Sequence, residues 1–426
     1  MTLANSSPII KPSVYETQQI RLTSRILHIG SAVSRLNPFE YVQANPFVYL
    51  PDAEALAKAL KQRGFLNDYV RCIEDREPIG DLLEDAFGSD WVRMTTEEGQ
   101  PVFPREARSL DWVNDGITEL RPMIRNGFNH HYIPGSSIKG ALRTAIAYHL
   151  LKHSARYRVP KQSRVSAIED RLRKSMGQLR RKARFYDDGV FMDELFANFG
   201  LSYQGREVKA RQGPNTDIMR AVQVSDSEPL IEEKVQRQGK RPFFRNLPVV
   251  TEVVVSSRFP DYRAKYRASI YAEMVFNVRT QFTLSVDQEM LSWFRHNGGM
   301  QLPFESVDDL LQICREFAQD QWDFEHDYWA VVQNNPRAQG RNLDFGDIRS
   351  IYEPERCPHT LRLGWGSGFR GTTVGLLLPD ELVGDIRDAC GIKAPGFEAP
   401  KSRRTIMNSK GEIKYVPGWI ELKAVQ

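Results

Sequence analysis

The sequence predicts an α+β protein, and three observations carry that expectation. Apolar residues alternate with polar ones or form β-branched runs over 18–31, 218–230, 247–259 and 266–286, the period of strands. Apolar residues recur at helical spacing over 52–64, 137–150 and 305–334. Composition is that of a globular chain: 41% hydrophobic and 26% charged residues suffice for a sizeable core, and 426 residues admit one large domain with insertions or two domains.

Taken in order, "QQIRLTSRILHIGS" (18–31) places Ile20, Leu22, Leu27 and Ile29 in a strand that ends at Gly30. "DAEALAKALKQRG" (52–64) has Ala and Leu at helical spacing and stops at Gly64, with helical character continuing to about Trp91. In "HYIPGSSIKGALRTAI" (131–146) a Pro-Gly-Ser-Ser turn runs into a helix from Ser137, with Ile138, Leu142, Ile146 and Leu150 along one side. Residues 155–199 are basic and helix-compatible until Gly, Pro and Asn interrupt them in 204–215, so they read as an insertion. "IMRAVQVSDSEPL" (218–230) and "LPVVTEVVVSSRF" (247–259) read as strands separated by a basic loop at 233–246, and 266–286 as a strand with a bulge or turn near Asn277. Leu310, Leu311, Ile313, Phe317, Trp322 and Trp329 mark a helix over 305–334, after which strand and glycine loop return.

Four cysteines, Cys72, Cys314, Cys357 and Cys390, lie far apart without a C-x-x-C pair, which argues against a disulfide framework and a thiolate zinc site and fits a reducing cytoplasm. The first residues, "MTLANSSPIIKPS", lack a basic stretch followed by an apolar core, and no apolar run approaches a membrane span. The net charge of +4 says little about partners. Its distribution says more: twelve Lys or Arg between Lys152 and Arg184 face only Glu169 and Asp170, a run that reads either as a solvated helix face or as an anion-binding surface.

Two motifs carry chemistry. Gly135, Ser136 and Ser137 at a helix start leave backbone N–H groups and a positive dipole end for an anion, and Lys139 and Arg143, four apart, add charge; an ordinary Ser N-cap with two solvated cations is the alternative. The absence of G-x-x-x-x-G-K-[ST] spacing weakens an NTPase reading. In "LRLGWGSGFRGTTVGLLL" (361–378), Gly364, Gly366, Gly368 and Gly371 let backbone approach a phosphate, while Trp365 and Phe369 offer stacking faces and Arg370 a cation. A bulged hairpin with inward-packed aromatics is the alternative there.

Together "LHIGS", "YIPGSSIKGALRTAI", "VQVSDS", "LRLGWGSGF" and the tail "PKSRRTIMNSKGEIKYVPGWIEL" resemble, in this order, the landmarks of the RAMP superfamily of CRISPR-associated RNA-binding proteins. Within it, the late Trp-containing glycine loop and Gly-Trp tail most resemble the subunit that caps the 3′ end of the guide RNA in type III effector complexes, type III-A (Csm) before III-D. The resemblance implies a ferredoxin-like, RRM-related βαββαβ core with helical and basic insertions. The core would be divided as 15–154 with a helical insertion at 52–110, a basic insertion at 155–217, central strands at 218–290, a helical insertion at 291–345 and a C-terminal part at 346–426. It also implies guide RNA (crRNA) and target RNA, other RAMP subunits and small helical subunits as partners, with no membrane, cofactor or metal. The residues that it points to for RNA are His28, Gly30, Ser31, the helix start and glycine loop above, and Arg403 and Arg404 of the tail.

Repeated backbone subunits of such complexes carry a target-cleaving Asp in the loop after the first strand. Here 28–51 contains no Asp, and its one carboxylate is Glu40. The expectation is a subunit that binds without cutting, with Glu40 and Asp226 as the weak candidates for a nonstandard site. Two alternatives stand beside it: a repeat-processing endoribonuclease with His28 as general base and Lys139 as charge stabiliser, and an assembly scaffold without RNA contact.

Overall fold

The computed structural model describes residues 15–182, 188–236, 241–392, 394 and 398–425. The N-terminal "MTLANSSPIIKPS", the Arg184 end of the basic run and part of the 233–246 loop lie outside the described residues.

Six elements form the core: β1 (Tyr15–Leu27), α1 (Gly135–Lys152), β2 (Leu247–Arg258), β3 (Ala264–Asp287), α2 (Val307–Val331) and β4 (Trp419–Ala424). The strands lie side by side in the order β4-β1-β3-β2, every neighbour antiparallel, so βαββαβ connectivity produces the ferredoxin-like arrangement. The fold is therefore α+β, with the ferredoxin-like core that the resemblance implies.

Burial explains why these segments persist. Ile138, Leu142, Ile146 and Leu150 of α1 are almost fully buried in one cluster with Ile20 and Leu22 of β1 and Phe282 and Leu284 of β3. The helices meet through the Tyr148 and Phe317 rings, 4.6 Å apart. α2 begins at a reciprocal cap in which the Ser306 hydroxyl accepts from the Asp309 N–H (3.1 Å) and the Asp309 carboxylate accepts from that of Ser306 (3.0 Å). β3 is long because it serves two partners: residues 275–287 pair with β1 and residues 264–276 with β2. The expected irregularity falls at Asn277, whose φ of 52° is in the left-handed region that Asn tolerates.

Several segments differ from expectation in extent. Residues 218–221 are a 3₁₀ turn, and only Val222–Val224 pair with β3, because the Asp217 carboxylate caps the turn through Met219 N–H. The basic loop is framed by a hairpin of Glu233–Val235 and Phe243–Arg245. The expected helical stretch to Trp91 is three helices, Ala53–Arg63, Leu66–Asp75 and Gly80–Phe87, the first closed by Gly64 at φ 85°. These helices bury a satellite cluster with Tyr49, Trp91 and Phe103. Among the described residues no helix is long and apolar enough to cross a membrane.

Candidate nucleic-acid interface

The end of β1 and the glycine loop are brought into contact by backbone. The Trp365 N–H donates to the His28 carbonyl at 3.0 Å, Gly30 bridges to Met123, and the Ile124 N–H donates to the Ile29 carbonyl at 2.9 Å. Gly364 sits at φ 82° with the His28 carbonyl where a Cβ would project, so glycine is required for this approach. Gly366, at φ 96°, packs on Pro417, whereas Gly368 and Gly30 are exposed and Ser31 is half-exposed with its hydroxyl on the Val33 carbonyl.

At the centre of this junction is Trp365, half-exposed. The Arg404 guanidinium lies 4.8 Å from its ring centroid, that of Arg121 5.4 Å away, and His28 packs edge-on at 5.4 Å. Among the described residues neither arginine has a carboxylate within ion-pair distance. Burial and the neighbouring Arg121 and Arg362 cations lower the pKa of Arg404, and its buried Nε has no acceptor. Two uncompensated cations around an aromatic face are suited to a phosphate and a base.

His28 itself is only 2% exposed, and its Nδ1 hydrogen-bonds the Glu273 carbonyl at 2.6 Å. Burial pushes its pKa from 6.5 down to about 4. The folded protein thus keeps His28 neutral where an unfolded chain would protonate it. Stability is full above pH 6.5 and declines as pH falls toward 4, by about 3 kcal/mol from this residue. The buried His131 and the half-buried His359, both shifted downward by desolvation, act in the same direction. Denaturant unfolding across this window should show the loss, and His28→Gln should reduce it; an unchanged slope contradicts the assignment.

The helix-start motif is built differently from expectation. α1 starts at Gly135 after an N-cap Pro134, and the Gly135 N–H donates to the Asp226 carboxylate at 2.7 Å. Gly135 is needed because a Cβ would overlap the backbone carbonyls of Val224 and Ser225. The "VSDS" segment therefore supplies an internal anion to the helix start, with Ser136 exposed and Ser137 half-exposed beside it. Arg143 pairs with Asp217 at 2.6 Å and lies over the Phe196 ring, so it is not a freely solvated cation. Lys139 is half-buried and its pKa is lowered by desolvation.

The two glycine motifs are not adjacent. The Ser225 N–H, beside Gly135, meets β3 at Thr283, whereas the His28 junction meets it at Glu273 and Val275. That is eight to ten residues of strand, on the order of 26–34 Å of contour.

Other nominated side chains are engaged within the fold. Phe369 packs against the main core, and residues 369–372 form a helical turn rather than the bulged hairpin. The buried Arg370 pairs with Asp380 and lies over Phe324, 4.2 Å from the ring centroid. Arg403 donates to Glu325 at 3.1 Å beneath Tyr328. Glu40 accepts from the Asn37 N–H at 2.7 Å, capping its own 3₁₀ turn.

Arg121 and Glu273 are not among the residues that the sequence singles out. Arg121 is in a two-residue strand beside β3, too short to leave a period. Glu273 is 1% exposed and accepts from Ser109 Oγ (2.7 Å), Arg125 Nη2 (2.5 Å) and the Met123 N–H (3.0 Å), with His131 Nε2 3.3 Å away. Arg125 and His131 hold its pKa well below the usual carboxylate range against the cost of burial. A Glu inside an apolar strand run, "YAEMVF", was the available signal.

The antiparallel β4-β1-β3-β2 sheet with two helices defines a ferredoxin-like class of fold, and the family comparison places the chain within it. The RAMP superfamily model matches residues 19–299, well over half of the chain, and the protein belongs to that superfamily. It is similar to the CRISPR system Cms protein Csm5 of Enterococcus italicus, at 26% identity over 138 residues, 28% of this chain; the match spans about two fifths (39%) of that relative. Its fold is similar to a chain of the cryo-EM Csm–crRNA–target RNA ternary complex of a type III-A CRISPR-Cas system, with TM-score 0.59, 24% identity and coverage of 96% of this chain and 100% of that one. The crystal structure of T. onnurineus Csm5 is similar too, with TM-score 0.56, 20% identity, and 95% and 100% coverage.

Proposed function

We propose that this chain is a guide-RNA-binding subunit of a cytoplasmic type III-A CRISPR effector complex, seated at the 3′ end of the guide beside other RAMP and small helical subunits. The observation that carries the reading is the Trp365 ring flanked by the guanidinium groups of Arg121, which donates only to the Ser34 carbonyl at 3.3 Å, and Arg404, neither of which faces a carboxylate. Fold likeness to a chain of a Csm–crRNA–target RNA complex supports the partner class. In this reading Trp365 stacks on a base, the two arginines and the N–H groups of the glycine loop hold phosphates, and Lys139 adds charge where the strand passes α1. The chain binds and does not cut: Glu40 and Asp226 both cap backbone N–H groups, and His28 is neutral and tied to a carbonyl.

Salt dependence tests this. On single-stranded RNA, log affinity falls with log salt by about 0.7 for each phosphate neutralised, so Arg121→Gln with Arg404→Gln should flatten the slope by about 1.4. An affinity independent of salt, or a slope that the double variant leaves unchanged, contradicts RNA binding through this junction.

A further inference from the structure

At the opposite end of α1 from the Gly135 start, two imidazoles and a carboxylate converge. His149 and His153 are one helical turn apart, and Glu316 faces them from α2. His149 Nδ1 lies 2.5 Å from Glu316 Oε2 and His153 Nε2 2.7 Å from Glu316 Oε1, and one ligand atom from each of the three residues falls within 4.8 Å of the others. The second nitrogen of His149 is 2.9 Å from the Tyr157 hydroxyl, which fixes the ring with Nδ1 toward Glu316. Outer partners of this kind orient metal-binding histidines.

We propose that His149, His153 and Glu316 form a site for a divalent transition-metal ion of the zinc class, with a fourth position open to water. Two nitrogens and one carboxylate oxygen suit Zn²⁺ and disfavour Mg²⁺ and Ca²⁺, which take oxygen ligands. The site is partly open, with side-chain exposures of 10% for His149, 27% for Glu316 and 34% for His153, so an ion has an entry path. Bonds of about 2.0 Å in a tetrahedral array place ligand atoms about 3.3 Å apart, so the two hydrogen bonds open by less than about 1 Å while the imidazole nitrogens, within 4.8 Å of each other, close to about the same spacing. Burial favours the neutral, ligating form of His149 despite its carboxylate partner.

Lys152 is the competing cation, with Nζ 2.9 Å from Glu316 and 2.5 Å from Asp320. An incoming ion repels it from Glu316 and leaves it on Asp320, which the Tyr148 hydroxyl also holds at 2.8 Å. The ion would clamp the end of α1 to α2. It lies about 20 Å along the helix from Ser136, so its effect is on stability and not on RNA contact.

The test uses the full-length protein, stripped with a chelator, in a Cys390→Ser background because Cys390 is an exposed free thiol. Zinc chloride is titrated by calorimetry, and thermal unfolding is followed with and without it. One saturable equivalent and a zinc-dependent rise in Tm are expected. His153→Ala and Glu316→Gln should each weaken binding at least about tenfold and diminish the rise. His153 is exposed enough for its variant to fold, which circular dichroism of the apo protein checks. The absence of a saturable equivalent, or a Tm rise undiminished in both variants, overturns the proposal.

Discussion

Glu273→Ala is expected to cost about 3–5 kcal/mol of folding stability, the range for removing one partner of a buried ion pair. The carboxylate holds Ser109, Met123, Arg125 and His131 from the middle of β3. Without it, Arg125, whose side chain is 11% exposed, keeps its charge and loses its partner, and the Met123 N–H is left buried without an acceptor. Against a typical total of about 5–15 kcal/mol this is a large fraction. Because Met123 bridges to Gly30 and the same segment carries Arg121, RNA affinity of the folded fraction should fall as well. Glu273→Gln, which keeps the acceptor oxygen but not the charge, should fall between wild type and alanine. Denaturant unfolding of the three proteins measures the ladder, and an alanine variant within about 0.5 kcal/mol of wild type would remove Glu273 from its central place.

The largest effect on binding is expected from Arg404→Glu, which places a carboxylate beside Trp365 and reverses one of the two charges there. Losing the phosphate contact and adding repulsion should exceed the effect of Trp365→Ala, for which the loss of a stacking face is about 1–3 kcal/mol, roughly fivefold to 150-fold in affinity. Arg403→Glu is the comparison that separates the neighbours: Arg403 is paired with Glu325 in a buried cluster with Arg362, so its reversal should unfold the protein rather than spare the fold and release RNA. Filter binding together with a circular-dichroism check of each variant distinguishes these outcomes. Equal RNA affinity of wild type and a folded Arg404→Glu would mean that the arginines serve only to pack Trp365.

Much of this architecture was legible because its signals are local. The alternation around Ile20 and Leu22, the i, i+4 row from Ile138 to Leu150 and the Gly64 stop each follow from a few neighbouring residues, and the same holds for the break at Asn277. What was not legible depends on tertiary pairing. Whether Asp226 or a ligand fills the α1 start depends on a residue 91 positions away. Arg370, Arg403 and Arg404 look alike in sequence, yet two have carboxylate partners and the third faces Trp365. Arg121 acquires its importance from a two-residue strand, and the His149–Glu316 contact spans 167 positions.

A chain that holds the 3′ end of a guide RNA at the Trp365 junction must carry that RNA out of the cell with it. The most direct measurement is purification from the host after ultraviolet crosslinking, with sequencing of the bound RNA, mapping of the crosslinked nucleotide and peptide, and identification of associated chains. Guide RNAs crosslinked near their 3′ ends to the peptide bearing Trp365, in company with other type III subunits, are the expected result. Recovery without RNA, or crosslinks confined to the 5′ end of the guide or to peptides remote from Trp365, would contradict this placement of the RNA.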